Sequence, residues 1–501
     1  MDRRRFMVGA SALALSTSIS KKAAAASDPF VKYDGMGQAE LVRSGQASSL
    51  ELVDAAIARI EKFNPALNAV IHKMYDKARA AAQGDLPDGP FKGVPYLIKD
   101  ISELEGEPLT FGSRLFANNI ADFDNGSVVR AKQAGLVIVG KTNTPEFGFI
   151  STTEGQLFGA ARNPYDAAYH TGGSSGGAGA AVASGMVPFA HASDGGGSIR
   201  IPASICGLVG LKPTRQRLFQ NTPPLGAADI GVRLAVTRSV RDTAQILNVS
   251  EKKGPEADYT PVGFVDGPSK KRLKIAFFTK TYDGREPHPD VKRATERAAR
   301  LCANLGHKVE AVEAQVVEAA FLDNFMNVWA VGAYELVKNA RLIGLMQGRW
   351  VSSENVLEKF THGLAELYEG RLAKDDKILE KAVAYCKKVE ADYDAFFENY
   401  DVILSPTLFK PPLMIGEQSS DKGFEELYAS VLDYVTYTAQ YNASGHPALS
   451  LPLYTSRTGL PIGSQFAAAK GAEATLLHLA YELEEARPWA DRWPDFSAMK
   501  I

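Results

Sequence analysis

Apolar positions along this chain recur in two alternating rhythms. Leu50, Val53, Ile57 and Ile60 return at spacings of three, four and three, which predicts a helix with one buried face. Ser48 and Glu51 stand just ahead of it as a Ser-x-x-Glu capping box. The rhythm then changes. "NAVI" (68–71) predicts a short strand, and "VPYLIK" (94–99), an apolar run closed by a lysine, predicts a buried one. "NGSVVRAKQAG" followed by "LVIVGKTN" predicts a helix and then a strand ending near Lys141. "GAGAAVASGMV" (177–187) predicts a helix of small residues packed closely against a neighbour. "KIAFF" (274–278), a helix over 289–305 and "HKVEAVE" repeat the alternation, and residues 316–400 predict mostly helix. "DVILSPT", "PALSLPL" and "PIGSQFAAA" bring strands back before a last helix over about 473–486. Such alternation belongs to the α/β class with a largely buried mixed sheet. Residues 250–272 are the best candidate for a surface excursion, and no linker rich in Pro, Gly or Ser divides the chain.

Composition narrows the function classes. The formal net charge of the 501 residues is -2, without a long basic block, so nothing favours a nucleic-acid partner. No apolar run reaches the ~20 residues that span a bilayer, so stable membrane insertion is not expected. Cys206, Cys302 and Cys386 are widely spaced, and no two histidines fall at His-x-His or His-x-x-x-His spacing. Neither a disulfide framework nor a metal site is indicated, and no cofactor is expected. A homodimer is left open. The N-terminus carries Arg3, Arg4, Arg5 and Phe6, then a mildly apolar Ala/Ser stretch, Lys21 and Lys22, and four alanines. It resembles a twin-arginine export signal. Residues 1–26 are expected to be removed near Ala26, leaving 27–501 as one periplasmic catalytic domain.

The loop "TGGSSGG" (171–177) sets two serines among four glycines. A Walker loop would need a Lys after the glycines. A Rossmann loop fails because Val182 stands where a glycine is required. Gly172-x-Ser174-x-Gly176 satisfies the G-x-S-x-G pattern, but "RNPYDAAYHT" ahead of it is polar and turn-rich, and His446 has no local support as a triad histidine. A turn needed only for close packing would explain the glycines. It would not explain "SDGGGSIRIPAS", where Ser198 follows Gly195, Gly196 and Gly197, nor Lys99 at the end of a buried strand. Lys99, Ser174 and Ser198 form a candidate constellation without a histidine.

These residues resemble the amidase signature family. The matching pieces are "GVPYLIKD", "KTNTPE" (141–146), "RNPYD" (162–166), "GGSSGGAGAAVASG" (172–185), "SDGGGSIRIPASICGLVGLKPTR" (193–215) and "SGHPALSLPL" (444–453). Within the family, these and "GLPIGSQF…LEEARPW" are most similar to the 6-aminohexanoate cyclic dimer hydrolase group. The resemblance implies a single α/β domain with a mixed, mostly parallel central sheet flanked by helices, and a helical insertion around 316–400. It implies hydrolysis of a small-molecule amide, with an esterase or aryl-acyl amidase as the alternative using the same residues; the alternative of another class is a catalytically inactive periplasmic binding protein, which would have to explain three intact catalytic positions.

By the same resemblance Ser198 is the nucleophile, Ser174 the bridging serine after a cis peptide at Gly173–Ser174, and Lys99 the base. A serine needs such a base, and a lysine serves only when burial keeps it neutral. Gly195, Gly196 and Gly197 are expected to supply oxyanion donors, each worth about 3–4 kcal/mol in comparable enzymes. Ser175 is expected to support Ser174 or Lys99, and Asp194 and Arg200 to form a structural pair. Gly195 departs from the family's usual Thr, which implies a freer loop. Phe325, Trp329 and Tyr334 read as a core stripe of the insertion.

Overall fold

A computed structural model describes residues 28–221, 228–313 and 316–500. The expected export signal at 1–26 lies outside the described residues. In chain order the strands are β1 (Val70–Lys73), β2 (Pro95–Lys99), β3 (Val137–Thr142), β4 (Arg162–Asn163), β5 (Asp166–His170), β6 (Phe189–Asp194), β7 (Val209–Lys212), β8 (Val232–Thr237), β9 (Lys274–Phe277), β10 (Lys308–Ala311), β11 (Val402–Pro406), β12 (Ala448–Thr455) and β13 (Pro461–Ala468). Eight of them form a sheet in the order β10-β9-β11-β13-β12-β7-β8-β6, and β1-β3-β2 form a second sheet whose β2 lies beside β6. Helices pack on these sheets around one large apolar core, and the helical insertion holds a second.

The local signals hold. Ser48 and Glu51 close a reciprocal capping box on the helix Ser49–Leu67. Pro289–Asn304 and Glu473–Ala486 are helical, and the insertion is built of Phe321–Met346, Lys359–Leu372 and Ile378–Phe397. Two expectations need correction. The eight-stranded sheet is mixed but not mostly parallel: only β9 with β10 and β9 with β11 pair in parallel, and the other five pairings are antiparallel. The mostly parallel sheet is what the family resemblance implies, and strand–helix alternation alone does not give strand direction. β6 and β7 do run the same way across the helix Arg200–Cys206, but β8 inserts between them and reverses both pairings. The segment before the serine loop is the second correction. It is a two-stranded antiparallel ribbon, β4 with β5, outside the large sheet. Its mixed residues, with only Asn163 and His170 fully buried, hide the strand signal, and side-chain bonds from Arg162 and Asn163 to the ribbon's own carbonyls help to hold it.

The glycines after the loop exist for packing. The helix Gly176–Ala183 is buried throughout. A Cβ on Gly177 would lie 2.4 Å from the Asn143 nitrogen and 2.6 Å from the Ala69 carbonyl oxygen, and one on Gly176 would lie 2.2 Å from Thr171 Oγ1. Both neighbours of Gly177 are backbone and cannot step aside. Gly177→Ala is therefore expected to cost about 1–3 kcal/mol through overpacking, read as a lowered midpoint in denaturant unfolding. An unchanged midpoint would mean that the helix is not seated against β1 and β3 as described.

Candidate active site

Three elements end at one place. β2 delivers Lys99 at its last position, fully buried. The loop between β5 and the helix Gly176–Ala183 delivers Ser174, and the turn between β6 and the helix Arg200–Cys206 delivers Ser198. The Gly173–Ser174 peptide is cis. Lys99 Nζ lies 2.7 Å from Ser174 Oγ and 3.0 Å from Ser193 Oγ. Ser174 and Ser198 line the same cavity, of about 320 Å³, together with Ser193, Asp194 and Gly195.

Burial dominates the electrostatics. It pushes the Lys99 pKa well below the usual lysine range; Asp194 opposes this and the charge of Arg233 adds to it. Burial also works against a charge on Asp194, yet the Arg200 guanidinium, Lys212 and Asn442 hold its carboxyl at about 2. Arg200 grips Asp194 through Nε at 2.9 Å and Nη2 at 3.0 Å. It also donates to the Thr438 carbonyl, Gln465 and Asn442. The pair is fully buried and fully hydrogen-bonded, as a buried ion pair must be.

Residues 51–477 match the sequence profile of the family described as Amidase. A putative amidase AmiC of Mycobacterium leprae is 39% identical over 469 residues, covering 92% of this chain and 97% of the relative. The 6-aminohexanoate-cyclic-dimer hydrolase of Pseudomonas sp. (strain NK87) is 37% identical, covering 92% and 96%. A solved structure of 6-aminohexanoate cyclic dimer hydrolase with its substrate superposes at a TM-score of 0.85 with 33% identity, covering 93% of this chain and 99% of that one. The chain belongs to the amidase family.

In this amidase the glycine run divides its donors. Gly197 N–H is turned inward and donates to Asp194 Oδ1 at 2.7 Å. Of the three glycines expected to stabilise an oxyanion, Gly197 is therefore already committed, and its φ of +139° belongs to a turn in which a Cβ would meet Thr438 Oγ1 at 2.5 Å. The N–H groups of Gly195, Gly196 and Ser198 have no acceptor among the described residues. Ser175 does not reach Ser174 or Lys99. Its hydroxyl donates to the Ser193 carbonyl and accepts from the Ser193 N–H, both at 3.3 Å. It pins the loop to β6, and Ser193 makes the lysine contact expected of it. Ser193 was missed because a lone serine inside a strand carries no spacing signal.

Gly195 is not a freer link. A Cβ there would lie 3.0 Å from the Trp329 indole, which fills the space the missing side chain leaves. Phe325 and Trp329 stack at 5.9 Å and line the cavities that meet at Ser198, so the expected core stripe is also a pocket wall. Tyr334 turns away to Tyr368. Phe111 (φ +52°) and Phe147 (φ +48°) complete the wall in a backbone conformation that bulky residues rarely adopt. The Phe147 N–H donates to the Phe111 carbonyl at 2.7 Å, which ties the two turns together. His446 packs between Phe397 and Tyr393 and is not part of this cavity. Burial raises the Cys206 thiol pKa far above the usual range, so it is no thiolate nucleophile.

Arg200→Met leaves the Asp194 carboxylate buried and alone. It is expected to destabilise the fold by about 3–5 kcal/mol, measured by chemical denaturation. A loss within the scatter of ordinary surface substitutions would show that the pair is dispensable.

Proposed function

We propose that this amidase cleaves its amide through an acyl-enzyme on Ser198, with Ser174 and Lys99 as a proton relay. The observation that carries this reading is the 2.7 Å contact between a fully buried lysine amine and Ser174 in the cavity that Ser198 also lines. Neutral Lys99 takes the Ser174 hydroxyl proton while Ser174 takes the proton of Ser198. Ser198 Oγ attacks the carbonyl carbon, and the negative charge gathers on the carbonyl oxygen. The N–H groups of Gly195, Gly196 and Ser198 then meet that charge, a role supported by their lack of an acceptor among the described residues, while Gly197 holds the turn through Asp194. The C–N bond breaks as the relay returns a proton to the nitrogen, so the amine leaves neutral. Water then gives a proton to the same relay, attacks the ester, and frees the acid and Ser198.

The cavity wall of Ile101, Phe111, Phe147, Phe149, Val328 and Trp329 suits an extended apolar chain. With the similarity to 6-aminohexanoate-cyclic-dimer hydrolase, it supports a linear or cyclic ω-amino acid amide as substrate. We also read residues 1–26 as an export signal that delivers the enzyme to the periplasm, on the strength of its paired arginines and small-residue end.

Ser198→Ala is expected to abolish covalent labelling by a fluorophosphonate, followed by intact mass; labelling that persists would remove Ser198 as nucleophile. Lys99→Met is expected to lower kcat by roughly 10⁴-fold or more, the scale seen when one member of a catalytic unit is removed.

The pH dependence follows from the direction of the Lys99 shift. Its folded pKa lies below the ordinary value, so the neutral base persists at lower pH than in a free lysine. Activity is expected to fall as pH drops through that lowered pKa. A kcat/KM profile that rises only near the pKa of an unperturbed lysine would contradict the relay.

A further inference from the structure

Arg233 gives the serine cavity a charge that helps keep Lys99 neutral but has no step of its own in the acyl transfer. It stands on β8 directly opposite Ser193 of β6, so the two side chains emerge on one face of the sheet. It lines the cavity with Ser174, Ser193 and Ser198 and is only 7% exposed. The other buried arginines all hold carboxylates: Arg59 pairs with Asp28, Arg200 with Asp194, and Arg217 with Glu251 and Glu473. The Arg233 side chain has no ion pair or hydrogen bond among the described residues, and its Nε is buried without a partner. Glu103 lines the same cavity, and its charge partly offsets the cost of burying the Arg233 guanidinium, but its carboxylate accepts from Asn125 Nδ2 at 2.9 Å and does not come within ion-pair distance of Arg233. Asp194 also lines the cavity, but its carboxylate is held by Arg200, and Lys99 and His191 are driven toward their neutral forms by burial first and by the charge of Arg233 as well.

A guanidinium is a rigid two-pronged donor matched to a carboxylate. A site that keeps one buried and unpaired beside Ile101, Ile230 and Val232 is short of an anion, and low-dielectric walls strengthen its attraction for one. We propose that Arg233 anchors a free carboxylate carried by the substrate, so that the enzyme selects carboxylate-bearing amides, such as linear ω-amino acid oligomers, over neutral or cyclic ones. The choice of bond to be cut rests on the acyl-enzyme reading above; the binding of the carboxylate does not.

The test therefore begins with binding. Hexanoate and 1-hexanol are titrated calorimetrically into the intact wild-type protein and into Arg233→Gln, Arg233→Met and Arg233→Lys, each checked for unchanged thermal unfolding. Hexanoate is expected to bind the wild type, to weaken by about 10-fold or more in the Gln and Met variants, and to recover in part in the Lys variant. Hexanol is expected to show no such dependence. Failure of hexanoate to bind the wild type, or equal affinity for wild type and Arg233→Gln, overturns the proposal. Turnover of the linear dimer of 6-aminohexanoate is then compared with N-hexyl-6-aminohexanamide, the same chain ending in methyl instead of carboxylate. The carboxylate substrate is expected to be preferred through a lower KM, and Arg233→Gln to erase that preference. Adipic monoanilide against hexananilide tests a carboxylate on the acyl side in the same way. If Arg233 acts only on Lys99, its removal shifts the acid limb of kcat/KM upward for all four amides and leaves selectivity untouched, which also overturns the proposal. Hexanoate binding that depends on Arg233 in a protein that cleaves none of these amides would sink the acyl-transfer reading and keep the anchor.

Discussion

A primary amine stripped of water is unstable as an ammonium, and the site depends on that fact. Lys99 reaches its position because β2 is buried along its whole length and ends inside the molecule. Among the described residues its amine bonds only to the hydroxyls of Ser174 and Ser193. Neither can compensate a full positive charge as a carboxylate would. Asp194, whose charge favours the ammonium, is itself occupied by Arg200. The fold thus spends its nearest carboxylate on an arginine and leaves the lysine free to act as a base.

The Asp194–Arg200 pair has a second consequence. Asp194 ends β6 and Arg200 begins the next helix, so their contact folds the intervening glycines into a tight turn. Asp194 also accepts the Gly197 and Ile199 N–H groups. Ser198 lies between those two anchored residues. The position of Ser198 follows from this salt bridge, and the Gly195 and Gly196 N–H groups have no acceptor among the described residues because the carboxylate takes the Gly197 and Ile199 N–H groups instead.

The insertion completes what the sheet cannot. β6, β8 and β2 supply the polar floor, whereas Phe325 and Trp329 from the helix Phe321–Met346 supply the apolar wall. Gly195 and Trp329 are complementary in shape, since the indole sits where a side chain at 195 would begin. Glu146 ties the two parts together: it accepts from Ser113 Oγ at 2.7 Å, from Thr361 Oγ1 at 2.5 Å and from the Glu358 N–H at 2.8 Å. The floor and the wall come from separate stretches of chain, Val232–Thr237 and Phe321–Met346 being the nearest of them, so the pocket's shape is a property of their docking.

Local patterns determined much of this protein. The Ser48–Glu51 cap, the continuous apolar run ending in Lys99 and the small-residue helix after Ser175 are set by neighbours within a few residues, and the chain alone shows them. The motif around Ser174 and Ser198 pointed to one site because its glycines and serines make sense only together. The tertiary structure decided what depends on distant partners. It inserted β8 between β6 and β7 and so reversed their pairing. It gave Lys99 the Ser193 hydroxyl in place of Ser175, and it spent the Gly197 N–H on Asp194. It also left the Arg233 side chain buried without an ion pair among the described residues. None of these has a signature in sequence spacing, because a hydrogen bond or ion pair across the sheet is fixed by strand order and register rather than by separation along the chain.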